Sequence, residues 1–286
     1  MQQRHRSRWL GLAGVPAGLL LLTAFYLPLL SMAVRSVTAD ASLSLSAGNI
    51  SLASFARLAD DAIVRRVVGN TLQISLLSTL ASIAIAYPLC IALRGTRPRA
   101  RTIVLALVTM TLWTSILVRL YAWTIILGRR GILNSLLMSS GAIEQPLDLL
   151  FNTTSVVIGM TNFLIPYAML IMFPSIMSVD GDLLAAGRSL GAGESAVFTR
   201  IVLPMTIPVL VAAFIVCMAL SLGYYITPAV LGGPADITVP VFMQQRARLF
   251  DWSSVSALAM VLLIVTLTLT AIATRLLPLD RIFGGR

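Results

Sequence analysis

The residues able to do chemistry are few and poorly placed for it. The chain has one histidine, His5, and two cysteines, Cys90 and Cys217. Both cysteines fall inside apolar runs and read as small buried hydrophobes, not as a disulfide framework. One His and two distant Cys do not make the common zinc or iron ligand sets, so no metal site is expected. All 21 basic residues are arginine. Without lysine the chain cannot form the G-x-x-x-x-G-K-[ST] phosphate loop, and H-E-x-x-H does not occur. No activated nucleophile with a neighbouring base stands out. We therefore assign no catalytic residues and expect a non-enzyme with no cofactor of its own.

The elements that carry these residues are apolar. Of 286 residues, 58% are hydrophobic and only 11% charged, and the mean hydropathy is +0.92. A soluble domain carries about 25% charged residues, so lipid must cover much of this surface. The net charge of +10 does not point to nucleic acid. The arginines sit in short clusters between apolar runs, not along one amphipathic face, which suits membrane orientation. Six runs approach the roughly 20 residues that cross a bilayer: 10–34, 71–93, 102–127, 156–177, 207–226 and 255–273. The first follows Arg4, Arg6 and Arg8, and Ala39-Asp40-Ala41 resembles a cleavage site. It is longer than a signal core and is expected to remain as a helix.

With the N-terminus inside, 12 of the 21 arginines fall on the inner segments. The tight cluster Arg94, Arg97, Arg99 and Arg101 decides the orientation. Both termini are then expected in the cytoplasm of a multi-pass protein of the bacterial inner membrane. The expected organisation is 1–68 as N-terminal tail, first helix and external loop, then 69–275 as a core of five helices, and 276–286 as a cytoplasmic tail. Residues 50–68 could form an amphipathic surface segment, and 128–154 could dip toward the membrane through Ile132-Leu133 and Leu136-Leu137.

Polar groups at membrane depth are costly unless paired or facing water. Asn70 and Gln73 open the second run. Asn162 and Tyr167 flank Pro166 in the fourth, and Tyr224 and Tyr225 close the fifth. Tyr is common in the interface belt; the sharper expectation places Asn162, Tyr167, Tyr224 and Tyr225 on a translocation path. Aromatic faces with hydrogen-bonding tips would suit an amine or quaternary cation. Arg119 is expected to snorkel at the outer membrane edge, with gating as the alternative.

The inner loop 178–207 is the most informative segment. Asp180 and Asp182 can open a helix, whose dipole favours carboxylates at its start. Leu183 to Leu190 has good helix formers with a small face at Ala185, Ala186 and Gly187. Gly191 and Gly193 supply a stop, since glycine tolerates the left-handed backbone. Glu194 to Ile201 resumes a helical pattern, and Pro204 and Pro208 suit entry into the next helix. A packing-only connector needs just a few residues. A structured loop with small residues suits a partner surface, with a lipid-lying connector as the plain alternative.

The loop is similar to the EAA loop of bacterial ABC importer permeases: E-A-A, three residues, Gly, nine residues, Ile, one residue, Leu-Pro. Those places hold Ala185-Ala186-Gly187, Gly191, Ile201 and Leu203-Pro204. The spacing matches throughout; Ala185 replaces the family's Glu and Gly187 its second Ala. More of the chain resembles the spermidine/putrescine-type branch: Trp113-Thr114-Ser115, Arg119, Tyr121-Ala122-Trp123, Gly131-Ile132-Leu133-Asn134, and Leu231-Gly232-Gly233 followed by Trp252.

The resemblance implies an all-α type I importer permease (MetI-like) fold, with Ala185–Leu190 as a coupling helix docking in a cleft of an ATPase subunit. Asp182, Ala185, Ala186, Gly187, Leu190, Gly191, Ile201, Leu203 and Pro204 are its coupling-loop residues. It implies a second homologous permease chain, two ATPase subunits carrying ATP and Mg, an extracytoplasmic solute-binding protein, and no nucleic acid. The solute is expected to be a polyamine or a related amine or amino-acid derivative. Many polyamine-carrying relatives have an acid near the end of the fifth helix, and residues 223–229 hold none, so an opine or phosphonate also stays open. The alternative is a secondary transporter or channel subunit not driven by ATP, which would require ionisable residues near mid-membrane.

Overall fold

The computed structural model describes residues 20, 22–38, 51 and 53–276. The N-terminal arginines, His5, the start of the first apolar run, Ala39-Asp40-Ala41 and the tail beyond Leu276 lie outside the described residues, as does part of 50–68. The described residues are almost entirely helical: α1 (Leu22–Val37), α2 (Ala53–Asp60), α3 (Ala62–Arg94), α4 (Pro98–Trp113), α5 (Ile116–Leu127), α6 (Ile132–Ser139), α7 (Thr153–Met177), α8 (Gly181–Ser189), α9 (Glu194–Val197), α10 (Leu203–Leu222), α11 (Ile226–Leu231), α12 (Val239–Arg248) and α13 (Trp252–Leu276).

Four helical stretches are long and apolar enough to cross a membrane: Ala62–Arg94, Thr153–Met177, Glu194–Leu222 and Trp252–Ile272. A fifth would be a broken one. The expected single run 102–127 divides at Thr114 and Ser115, whose backbones are extended, and the two arms bend by 100°. The break has no Pro or Gly to mark it. The expected fifth run also stops early, at Leu222, and its last residues belong to a turn and α11. The α1 helix is shorter than a span within the described residues.

The chain divides into two compact units, Met1–Arg65 with Phe242–Ile264, and Arg66–Val241 with Val265–Arg286. In the first, Arg246 lies 3.4 Å from Asp251 and 4.0 Å from Asp61, with its guanidinium 4.9 Å above the Phe242 ring. The Ser54 and Ser253 hydroxyls share a 2.7 Å hydrogen bond. Asp61 accepts from the Ile63 amide at 2.8 Å, so a cap separates α2 from α3 within the expected amphipathic stretch.

The second unit is organised around α7. Asn152 and Ser155 form a capping box at its start, each side chain accepting from the other's amide. Leu164, Ala168, Met169, Met172 and Ile176 are fully shielded and pack with Ala86, Cys90, Ala213 and Cys217 from α3 and α10. Small residues at the last four places let the helices approach closely, as packing inside a membrane requires. Exposed Ile103, Leu107 and Met110 line one side of α4 at helical spacing, as a lipid-facing stripe does.

At the Thr153 end of α7 the connection 232–238 is stitched down by polar contacts. Asn70 Nδ2 donates to the carbonyls of Ala235 (2.8 Å) and Ile237 (3.3 Å), the Val239 amide donates to Thr71 Oγ1 (2.8 Å), and Ser155 Oγ donates to Leu231 O (2.7 Å). Thr153 Oγ1 also donates to Asp236. Phe151, just before the α7 cap, has φ 58°, a left-handed backbone uncommon for Phe. Gly233 rests against its carbonyl, where a Cβ would collide. Asn134 is buried and ties 128–147 together, donating to Gly128 O and Leu147 O and accepting from the Leu147 amide. The α6 helix that carries it exposes Ile132 and Leu136.

Candidate functional site: the α7–α10 loop and the cluster around Arg119

The loop after α7 folds as helix, turn, helix. Asp180 caps α8, its Oδ1 accepting from the Asp182 amide at 2.9 Å, and Asp182 adds a carboxylate to the first turn. At the other end Ala192 N donates to Gly187 O (3.1 Å) and Gly191 N to Arg188 O (2.9 Å), with Gly191 at φ 85°. This is a Schellman closure, and its left-handed position takes glycine without steric cost. Gly193 was expected to share that role and does not. Its backbone is extended because it is the N-cap of α9. Across the turn Arg188 grips Glu194 in a two-point ion pair, Nε to Oε1 at 2.7 Å and Nη2 to Oε2 at 3.0 Å. The pair raises the Arg188 pKa and lowers that of Glu194, chiefly through the shared hydrogen bonds.

A π-turn, Phe198–Val202, follows α9 and runs directly into α10. It widens the helix just before Pro204, whose ring would otherwise press on the carbonyl of residue 200. Val197 and Val202 are buried, while Ile201 and Leu203 are half-buried and Pro204 is exposed. Ile201 reaches back to α8: a Cβ on Gly187 would lie 2.9 Å from Ile201 Cδ1. The small residue at 187 thus serves packing inside the loop. Leu183 (47% exposed), Ala186 and Leu190 (88% exposed) instead fall within about 60° of arc on the outward side of α8. Ala185 is exposed as well, and no α8 residue is buried.

The loop is anchored to its neighbours. Arg94 Nη2 donates to Val179 O at 2.6 Å, fixing the end of α3 to the start of the loop. Tyr87 and Thr206 share a 2.8 Å hydroxyl bond, and the Tyr87 ring lies 6.2 Å from Phe198. Between these anchors Ile91, Arg94, Leu184, Arg188 and Phe198 help line a cleft of about 360 Å³. Tyr87 and Arg94 are contributors that the motif alone does not reveal; their signal is position, near the C-terminal end of the run that precedes the arginine cluster.

The expected path residues come together only in part. Tyr167 lies 5.2 Å from Phe163 ring to ring, and Phe163 lies 4.3 Å from Tyr224. Phe163 was missed because a Phe in an apolar run carries no polar signal, although its four-residue spacing from Tyr167 puts both on one side of α7. Asn162 lies about 140° around the helix from Tyr167, and Tyr225 is 36% exposed beside Tyr224. Neither joins the cluster. Arg119 comes near it: the adjoining Leu120 belongs to the buried cluster against which Tyr224 packs. The Arg119 Nη2 folds back onto the end of α4, donating to Thr111 O (2.8 Å) and Thr114 O (3.3 Å). A cation here meets the negative end of the helix dipole. Gln73 is exposed on α3.

Described residues that are almost all helical, with several stretches apolar enough to cross a membrane and a braced loop at one end of the core helices, fit a subunit embedded in a membrane. The chain belongs to the family of binding-protein-dependent transport system inner membrane components, whose model matches residues 74–278. It is 31% identical over 215 residues, 75% of each chain, to the spermidine/putrescine transport system permease protein PotB of Salmonella typhimurium (strain SL1344). It is 27% identical over 228 residues to the inner membrane ABC transporter permease protein YdcU of Escherichia coli K12, covering 75% of this chain and 72% of that one. In fold it resembles a chain of a bacterial alginate ABC transporter crystallised with an alginate-bound periplasmic protein. The TM-score there is 0.77 over 98% of this chain and 96% of that one, at 17% identity. The protein is thus a permease subunit of an ABC importer, a class that works with ATPase and solute-binding partners.

Proposed function

We propose that this permease forms half of a translocation pathway for a small polar solute, a polyamine or a related amine or amino-acid derivative, and that α8 is the element through which an ATPase drives it. The observation that carries this is the outward stripe of Leu183, Ala186 and Leu190 on a helix whose two ends are closed by an Asp cap and a Schellman turn. Exposed leucine on a braced loop is the signature of a surface made to be covered. The similarity to PotB supports the solute class.

The working assembly is this chain with a second homologous permease, two ATPase subunits and an extracytoplasmic binding protein. ATP and Mg belong to the ATPase. The α8 loop and both termini face the cytoplasm, and the connection 232–238 faces the binding protein. ATP closure moves α8; Arg94 and the continuous Glu194–Leu222 helix carry that displacement into α3 and α10. The permease pair then shifts from inward-open to outward-open, the binding protein delivers its solute, and hydrolysis resets the state. No covalent chemistry occurs in this chain.

The test is a charge on the stripe. Ala186→Glu or Leu190→Asp should leave the permease inserted and paired but abolish co-purification of the ATPase, or separate ATP hydrolysis from uptake. Normal ATPase association with fully coupled transport in both variants refutes the docking role. A chain that binds no ATPase and moves solute down an ion gradient refutes the importer assignment altogether.

A further inference from the structure

Arg119 has an unmet need. Its Nη2 caps α4, but Nε and Nη1 are shielded from solvent and have no hydrogen-bond partner. The Tyr224 hydroxyl is shielded as well and makes no bond of good geometry, Thr227 offering it only a loose one. Shielded donors without acceptors are rare in folded proteins, because each forfeits its hydration. An unpaired guanidinium is the most demanding case. No carboxylate among the described residues answers it. Among the described residues the ion pairs are Arg129–Asp148, Arg188–Glu194, Arg246–Asp61 and Arg246–Asp251. The helices α3, α4, α5, α7, α10 and α11 contain no acidic residue. Phe163 is residue 11 of the 25 in α7, which puts the cluster roughly 15 Å along that helix from its start. Among apolar helices of this kind a charged side chain is costly and marks a functional place.

We propose that Arg119 and Tyr224 receive an oxyanion of the transported solute, a carboxylate or phosphonate, so that the cargo is an amine carrying an acid group and not a bare polyamine. The inference rests on the permease assignment above and narrows its solute class. The planar guanidinium offers charge-assisted donors matched to a carboxylate or phosphonate, and the phenol adds a third. The faces of Phe163, Tyr167 and Tyr224 stand beside them, and an ammonium group elsewhere on the solute can rest there. A polyamine would bring only positive charge to a site that already holds an unneutralised cation and no acid. The donors are shielded in this conformation, so the solute meets them when the transport cycle opens the cluster.

The test uses the complete importer, this chain with its partner permease, ATPase and binding protein, in proteoliposomes. Uptake of 2-aminoethylphosphonate and octopine is compared with that of putrescine and spermidine. ATP-dependent uptake of at least one oxyanion-bearing probe is expected. Arg119→Gln, which keeps donors for Thr111 O, should cut its rate about tenfold or more at saturating binding protein, the usual weight of a hydrogen bond to a charged group. Tyr224→Phe, which keeps the ring packing, should cut it by a smaller factor, and co-purifying ATPase should be unchanged in both. Uptake confined to putrescine or spermidine, uptake of none of the probes by an assembly that hydrolyses ATP, or wild-type rates in both variants overturns the proposal. If Arg119→Gln fails to assemble, Tyr224→Phe alone decides. Loss of ATPase association already in the wild-type chain would instead strike the permease assignment.

Discussion

In the α8 loop the backbone is closed and the apolar side chains are left out. Caps, a Schellman turn and an Arg–Glu clamp satisfy its polar groups, while Leu183 and Leu190 face solvent. Around Arg119 the arrangement is reversed. The aromatic rings pack against one another, and polar donors are left open. A surface for a permanent protein partner can be apolar, because the partner keeps it covered. A site for a solute that must leave again keeps its recognition in polar groups, whose bonds to water and to solute nearly balance. The two regions therefore call for different probes: shape changes at packed positions, charge changes at open ones.

The largest stability effect should come from a packed position near the cluster. A Cβ at Gly159 would lie 2.7 Å from both Leu231 Cδ1 and Thr227 Cγ2. Leu231 is fully buried and Thr227 is β-branched, so neither has freedom to yield. Gly159→Ala should cost about 1–3 kcal/mol by overpacking, seen as a lower melting temperature of the purified permease. Gly187→Ala in the loop is the control. There the obstacle is the flexible end of Ile201 at 2.9 Å, so the cost should be well under that of Gly159→Ala. Equal losses at both sites would erase the contrast between a rigid cluster and an adaptable loop.

Gly191 comes next. Its φ of 85° costs an alanine about 1 kcal/mol or more. Because the strain falls in the turn that closes α8, Gly191→Ala should show first as faster hydrogen exchange at the Gly191 and Ala192 amides, with the α7–α10 core unaffected. Unchanged exchange at those amides would mean that the turn does not depend on its glycine.

Much of this was legible in advance because membrane helices write themselves as apolar runs and turns as glycines. The ends of 156–177 needed only length and hydropathy, and Asp180, Gly191 and Pro204 marked the loop. The break at Thr114–Ser115 left no such mark. Both residues tolerate helix, the apolar run continues through them, and what holds the bend includes Arg119, five residues downstream of Thr114, capping carbonyls it cannot be seen to reach. Gly187 reads as a docking residue because a small side chain permits close approach, and sequence does not say from which side. An arginine among apolar residues reads as one that escapes to water, and the bonds of Arg119 to Thr111 O and Thr114 O leave no trace in that reading. The Arg119 Nε and Nη1 are shielded without partners, and no local pattern encodes that.

The smallest effect should come from the Arg188–Glu194 pair. Both partners are solvent-exposed, so the pair adds little to stability and orients the turn instead. Its pH dependence follows from the lowered Glu194 pKa. A carboxylate whose folded value lies below its unfolded one, about 4.3, stabilises above that unfolded value. The contribution disappears as pH falls through the lower folded value. From pH 8 to pH 5 the melting temperature of wild type and Glu194→Gln should therefore differ by a small constant amount, and the two curves should converge only at more acidic pH. Arg188 stays charged over that whole range, since its own value is raised. A gap that closes already near neutral pH would show that some group other than Glu194 carries the clamp, and would remove the electrostatic brace from the account of how α8 is held out for its partner.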